Sequence, residues 1–152
     1  MAFDYHDTDC VDRIKDYTGN ALDYAIDCFC TSASMKFCYG AIGRAGGRYT
    51  TLEPYAEQSL TRKRVNPEWI LSLALLGKTI GWKKPYGCDA NPELRAFGRE
   101  WFRCAQRLLT TGEVKPHPVR VGDRTGFEAV LDGLEILKQG QVSGEKLVYR
   151  IP

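Results

Sequence analysis

Leu22-Asp23-Tyr24-Ala25-Ile26-Asp27-Cys28 places Leu22, Tyr24, Ile26 and Cys28 in alternation with Asp23, Ala25 and Asp27. That period of two predicts a β-strand. Met35, Cys38, Tyr39 and Ile42 follow at helical spacing, so the next segment reads as a helix with one apolar face. Ser32 or Ser34 is the expected cap, and Gly43 the expected stop. Gly46-Gly47 then leads into Arg48-Tyr49-Thr50-Thr51-Leu52, rich in β-branched and aromatic residues, which Pro54 ends. Strand, helix and strand in this order are the sign of a parallel α/β sheet.

The reading extends in both directions. Upstream, Phe3-Asp4-Tyr5 reads as a short strand. Asp9 is placed to cap a helix to Tyr17, with Val11 and Ile14 on one face and Thr18-Gly19-Asn20 as its end. Downstream, the apolar stretch Trp69 to Ile80 reads as another strand with Gly77 inside it. Strands are therefore expected near residues 3–5, 22–28, 48–53 and 70–80, in one mostly parallel sheet.

After residue 81 the pattern changes. Trp82 to Asn91 reads as a loop, and Asn91-Pro92 as a helix start. Leu94, Phe97, Trp101, Ala105 and Leu108 form an apolar stripe, and Gly112 closes the helix. Pro116-His117-Pro118-Val119-Arg120-Val121 must be extended. Thr125 and Glu128 have capping-box spacing, and Phe127, Val130, Leu131, Leu134 and Leu137 predict the buried face of the helix that follows. Gly140 ends that helix, and Lys146 to Ile151 predicts a closing strand.

Composition excludes several classes. The 152 residues are 43% hydrophobic and 26% charged, which is globular and not disordered. Net charge is +2, with residues 1–60 at −4 and residues 61–152 at +6. That balance gives no general attraction to nucleic acid. The longest apolar run, Ile70 to Leu76, is far short of a membrane span. The N-terminal residues lack the basic and apolar regions of a signal peptide, so a cytoplasmic protein is expected. The six cysteines, at 10, 28, 30, 38, 88 and 104, form no C-x-x-C pair, and the two histidines are His6 and His117. They read as reduced thiols, mostly in the core, and no metal is expected. Cys28 and Cys30 are placed to share one face of a strand.

The remaining motifs have plain readings. Gly40, Gly43, Gly46 and Gly47 follow a helix and precede a strand, the reverse of a phosphate-binding loop. They read as a helix exit. Arg95, Arg99, Arg103 and Arg107 read as a solvated face with Glu100 as a local partner. No nucleophile elbow is present, and no catalytic residue is assigned.

Several segments in order resemble one family. They are Phe3-Asp4-Tyr5-His6-Asp7, Tyr24-Ala25-Ile26-Asp27-Cys28, Gly43-Arg44-Ala45-Gly46-Gly47-Arg48-Tyr49 with Leu52-Glu53-Pro54-Tyr55, Lys115-Pro116-His117-Pro118, and Gly140-Gln141-Val142-Ser143-Gly144-Glu145-Lys146-Leu147-Val148-Tyr149. Together they resemble the C-terminal part of the medium-chain dehydrogenase/reductase superfamily. The closest resemblance is to the fungal trans-acting enoyl reductases of polyketide biosynthesis.

The resemblance implies an α/β fold, a partial Rossmann-like parallel sheet followed by the C-terminal return segment of a GroES-like catalytic lobe. Residues 1–85 would be the second part of the NADP-binding domain and residues 86–152 the return to the catalytic lobe. It implies a truncated member, without the first strands and the glycine-rich loop. Tyr5, Leu52, Glu53, Val142 and Ser143 would touch NADPH. Leu73, Ala74, Leu75, Leu76 and Gly77 would line the nicotinamide and acyl pocket, so that enlarging Gly77 would crowd it. The implied chemistry is hydride transfer from NADPH to an α,β-unsaturated acyl thioester. The implied partner is a highly reducing polyketide synthase with its carrier-bound chain, and family members are expected to be monomers without zinc. Two alternatives stay open: a non-catalytic remnant acting as an interaction module, and another zinc-independent, quinone-reductase-like oxidoreductase.

Overall fold

The computed structural model describes residues Met1–Pro152, which divide into two compact units, Met1–Arg99 and Glu100–Pro152. The first unit is built on β1 (Tyr24–Asp27), β2 (Gly47–Thr51) and β3 (Val65–Trp69) in the order β1-β2-β3, parallel throughout. Ala25 pairs with Tyr49 and Asp27 with Thr51, while Tyr49 pairs with Pro67. Pro67 donates no ladder bond, which an edge strand tolerates. The helix α1 (Cys10–Tyr17) precedes β1, and α2 (Ser32–Ala41) crosses from β1 to β2.

The core of this unit lies where α2 packs on the sheet. Met35, Tyr39 and Ile42 meet Tyr49 and Val65, all buried. Tyr39 and Tyr49 pack edge to face with ring centroids 5.1 Å apart. The helical spacing of Met35, Tyr39 and Ile42 and the period-two placing of Tyr49 and Thr51 produce this interface directly.

Both ends of α2 are closed by side chains. Thr31 is the cap, one position before the expected Ser32. Its Oγ1 accepts from the Ser34 N–H at 3.1 Å, and the Thr31 N–H donates to Ser34 Oγ at 2.9 Å. Ser34 is the reciprocal partner in that box. At the other end the Arg62 guanidinium donates to the carbonyls of Tyr39, Ile42 and Gly43 at 2.8, 2.7 and 2.6 Å. These are carbonyls that a helix terminus leaves unpaired. Gly46, at φ +97°, passes so close to the Arg64 backbone that a side chain has no room. The glycines after α2 are therefore an exit turn, as their order implies.

Two expected strands are corrected. Residues 3–5 form no strand. Asp4 accepts from the His6 N–H at 2.9 Å, and the Asp7 N–H donates to the Asp4 carbonyl, which folds this stretch into a turn. Phe3 instead packs edge-on against Tyr17. The strand expected at 70–80 lies earlier, at Val65–Trp69, and Ser72–Leu76 makes a 3-10 turn. The leucines and alanine of that turn favour helical over extended backbone, and Pro67 hides the true strand from pattern reading. Cys28 and Cys30 also fail to share a strand face, because β1 ends at Asp27 and Cys30 adopts φ +51°. Of the six thiols, all free, Cys10 alone is buried.

The long helix α3 (Pro92–Thr110) starts in the first unit, capped by Asn91, whose Oδ1 accepts from the Leu94 N–H at 3.0 Å. Arg103 pairs with Glu100 at 2.6 Å on an exposed face. In the second unit β4 (Val119–Val121) pairs in parallel with β5 (Lys146–Val148), with α4 (Phe127–Lys138) between them in sequence. Here the expected buried face of α4 is corrected. Phe127, Leu131, Leu134 and Leu137 are exposed, and Ala129 and Gly133 are buried. The Tyr149 ring fills the space that side chains at Gly122 and Gly133 would occupy, so the small-residue face of α4 turns inward. The capping box at Thr125 is absent as well. Gly126, at φ +86°, is the cap, and its N–H donates to the Arg150 carbonyl at 2.9 Å.

Candidate functional site

In open parallel sheets, ligands bind outside the C-terminal ends of the strands. Three such ends are present in the first unit, and each carries a distinct group.

At the end of β1, Asp27 is 4% exposed. Its Oδ1 accepts from the N–H groups of Phe29 and Cys30, both at 2.9 Å, and its Oδ2 from the Tyr49 hydroxyl at 2.8 Å. Burial by itself raises a carboxyl pKa. Here the bonds from Cys30, Ser34, Phe29 and Tyr49 outweigh burial and hold Asp27 below the ordinary carboxylate range. The same packing pushes the Tyr49 hydroxyl up, through burial first and the Asp27 bond second. Cys38 nearby is pushed up to about 11 by burial, then by the charge of Asp27 and by Cys28. Its thiol is protonated and inert at neutral pH. Pattern reading takes the N-terminal aspartates for caps and solvated positions, and it misses this one.

At the end of β2, Leu52 is half exposed and Glu53 is exposed. The Thr51 hydroxyl donates to the Glu53 carbonyl at 2.7 Å and fixes the turn. Glu53 Oε2 accepts from the Tyr86 hydroxyl at 2.9 Å, and that bond raises the phenol pKa. Tyr86 packs edge-on against Trp69, at the end of β3, with centroids 5.8 Å apart. Tyr86 and Trp69 thus join the strand ends and go unassigned in the sequence. The signal available was two aromatic residues near a strand end and a proline-containing loop.

Leu73, Ala74, Leu75, Leu76 and Gly77 follow β3 directly. Ala74 and Leu75 are partly buried, and Leu73 and Leu76 are exposed. The structure therefore brings Leu52, Glu53 and this segment to one edge of the sheet. Tyr5 does not join them through a hydrogen bond; it is exposed and stacks on His6. Val142 and Ser143 lie in the turn before β5, in the second unit. No three or more His, Cys, Asp or Glu side chains are grouped to hold a metal.

Gly77 also meets a structural constraint. It adopts φ +67° and closes the 3-10 turn, and a Cβ there would strike the Arg95 side chain on α3. Gly77→Ala is expected to lower stability by about 1–3 kcal/mol. A shifted urea midpoint with unchanged slope would report this, and an unshifted midpoint would contradict it.

The residues fit a dinucleotide only in part. A helix N-terminus after a parallel strand offers its free N–H groups to a diphosphate. At the β1–α2 junction the protein takes three N–H groups itself, two just before α2 and one in its first turn. Asp27 takes two N–H groups and Thr31 a third, and the turn Cys28–Thr31 contains no glycine. An incoming diphosphate would meet a buried carboxylate.

No protein-family model matches the chain. Its fold is similar to part of two solved enoyl reductase structures. The JamJ enoyl reductase superposes with a TM-score of 0.64 at 12% identity, covering 96% of this chain and 40% of that one. The CurF ER cyclopropanase from the curacin A pathway gives 0.62 at 16%, covering 98% and 40%. The sequence narrows this further. Trans-enoyl reductase FSL5 of Gibberella zeae is 47% identical over 150 residues, 99% of this chain and 42% of the relative. Trans-enoyl reductase buaC of Petromyces alliaceus is 45% identical over 147 residues, 97% and 41%. ApdC of Emericella nidulans, another trans-enoyl reductase, is 43% identical over 152 residues, 99% and 45%. Along nearly its whole length the chain is similar to trans-enoyl reductases, and it spans about two-fifths of the length of these relatives.

Proposed function

We propose that this chain forms part of an NADPH-dependent trans-acting enoyl reductase that reduces α,β-unsaturated polyketide thioesters in secondary-metabolite biosynthesis. The observation that carries the reading is 47% identity to a trans-enoyl reductase along 99% of the chain. In this reading residues 1–85 belong to the NADP-binding domain and residues 86–152 to the return into the catalytic lobe. Hydride adds to the β-carbon and a proton to the α-carbon of the acyl group. Tyr5 lies toward the adenosine half, Leu52 and Glu53 contact the cofactor at a strand end, Val142 and Ser143 supply a second cofactor contact, and Leu73 to Gly77 border the reacting acyl group. The partner is a highly reducing polyketide synthase carrying the acyl chain. Six free thiols suit a reducing compartment such as the cytoplasm, and no helix is long and apolar enough to cross a membrane.

One observation favours a second reading, a non-catalytic interaction module. Phe127, Leu131, Leu134 and Leu137 of α4 form an exposed apolar row, of the kind that marks contact surfaces. The two readings separate in one experiment. The lengths of the Gibberella zeae relative that this chain does not span are joined to it, and NADPH oxidation is followed with crotonyl and longer enoyl thioesters. Turnover is expected. A folded chimera that is inert with every thioester would leave the module reading standing.

A further inference from the structure

A recess of about 460 Å³ lies where the helices α1 and α2 end. α2 starts beyond the C-terminal end of β1 and stops before β2 begins. Its last turn therefore stands at the opposite edge of the sheet from Leu52 and Glu53, so the recess is separate from the candidate site. Lys15 and Asn20 come from the end of α1 and the turn after it, Gly40 from the end of α2, and Arg44 and Arg62 from segments that follow. The backbone fixes these walls. The Asn20 N–H donates to the Lys15 carbonyl at 2.7 Å, and the Arg44 N–H donates to the Asn20 carbonyl at 3.3 Å. A side chain at Gly43 would strike that same carbonyl of Asn20. The two helix exits are thus locked together, and Lys15, Arg44 and Arg62 share the recess with no carboxylate in its lining.

Cations gather at helix C-termini for a structural reason, since each end carries about half a negative charge. Two such ends offset about one of the three positive charges here. Arg62 supplies that offset at α2, where three of its N–H groups go to carbonyls; a guanidinium carries more than three. Lys15 lies 3.9 Å from Asp12, an exposed pairing of small worth that leaves the ammonium free to turn. Arg44 is exposed. A surplus of about two positive charges remains in the recess, whereas residues 1–60 as a whole carry −4. We propose that this recess binds a terminal diphosphate group, with Lys15, Arg44 and Arg62 as its cationic partners and the Asn20 amide as a neutral donor. A terminal diphosphate carries more charge than a single phosphate and has oxygens enough for all three cations, which approach from three separate segments. The assignment is independent of the enoyl reductase reading.

The test is calorimetry on the 152-residue chain at low salt, without divalent cations, using orthophosphate, pyrophosphate, adenosine diphosphate and NADPH. Pyrophosphate is expected to bind at least about tenfold more tightly than orthophosphate, and to weaken severalfold as NaCl rises from about 20 to about 200 mM. NADPH, whose diphosphate is esterified at both ends, is expected to bind no better than orthophosphate. Adenosine diphosphate matching pyrophosphate would show that the group enters on a carrier molecule, and adenosine diphosphate binding much more weakly would identify free pyrophosphate; both support the assignment. Arg44→Gln and Lys15→Gln are each expected to weaken pyrophosphate about tenfold, and the exposed Arg99→Gln to leave it unchanged. Arg62 is kept, because it closes α2. Absence of pyrophosphate binding, equal affinity for orthophosphate and pyrophosphate, NADPH binding as tightly as pyrophosphate, parental affinity in Arg44→Gln, or an equal loss in Arg99→Gln would each overturn the proposal. The ligand series needs no variant, so an unfolded Arg44→Gln does not remove the test.

Discussion

NADPH is expected to bind the 152-residue chain with a dissociation constant weaker than about 1 mM, corresponding to less than about 4 kcal/mol of binding free energy. The reason is local. Dinucleotide sites draw much of their grip from backbone N–H groups that surround the pyrophosphate at a strand–helix junction. At the β1–α2 junction the N–H groups of Phe29 and Cys30 are bound by Asp27, and that of Ser34 by Thr31. Asp27 is ionised at neutral pH, because its pKa is held below the ordinary carboxylate range. It repels a second anion at short distance. Leu52 and Glu53 offer contacts at the strand ends, and neither is a cation. Calorimetry on the isolated chain checks this directly, and low-micromolar affinity would refute it. In the chimera the proposed function reverses the expectation, and tight binding should accompany turnover.

Asp27→Ala is expected to cost about 3–5 kcal/mol, which for a domain of ordinary stability removes most of the folding free energy. The substitution orphans two N–H groups and the hydroxyl of Tyr49, which is 0% exposed. Each buried polar group left unpaired costs about 1–3 kcal/mol. Tyr49→Phe isolates the single bond to Oδ2 and should cost less, about 1.5–3 kcal/mol. The pH dependence has a definite sign. The folded pKa of Asp27 lies below its unfolded value of about 3.9. Its contribution is therefore fully present above pH 4 to 5 and is lost as pH falls through the folded pKa. Urea unfolding from pH 7 down to pH 3 should show the gap between parent and Asp27→Asn narrowing toward the acid end. A gap that is constant with pH would show that Asp27 does not act through its charge.

The parallel sheet was legible because its central signals are local. Leu22 to Cys28 alternates, Met35, Tyr39 and Ile42 repeat at helical spacing, and Gly43 to Gly47 punctuates the exit. β3 was not legible, since Pro67 and Asn66 contradict strand patterning and only pairing with β2 makes the segment extended. The 3-10 turn carried the stronger apolar signal and drew the expected strand five residues too far along. In α4 the apolar residues were read correctly as a face, but the direction was wrong. Apolar periodicity gives the face of a helix and not what lies on it, and Tyr149 selected the small residues at Ala129 and Gly133.

Leu52, Glu53 and residues 73–77 are candidates through resemblance, and in the structure they follow the ends of β2 and β3. Tyr86 and Trp69 were invisible, because a hydrogen bond from residue 86 to residue 53 leaves no trace in spacing. The sequence by itself determined the α/β class, the α2–sheet core and the kinship with enoyl reductases, since each rests on near-neighbour periodicity or on the order of motifs. Only the tertiary structure decided that Asp27 is a buried anchor, that Gly77 serves a turn against Arg95, and which face of α4 is inward. Those properties depend on what long-range folding places beside a residue, and no local pattern encodes the neighbour.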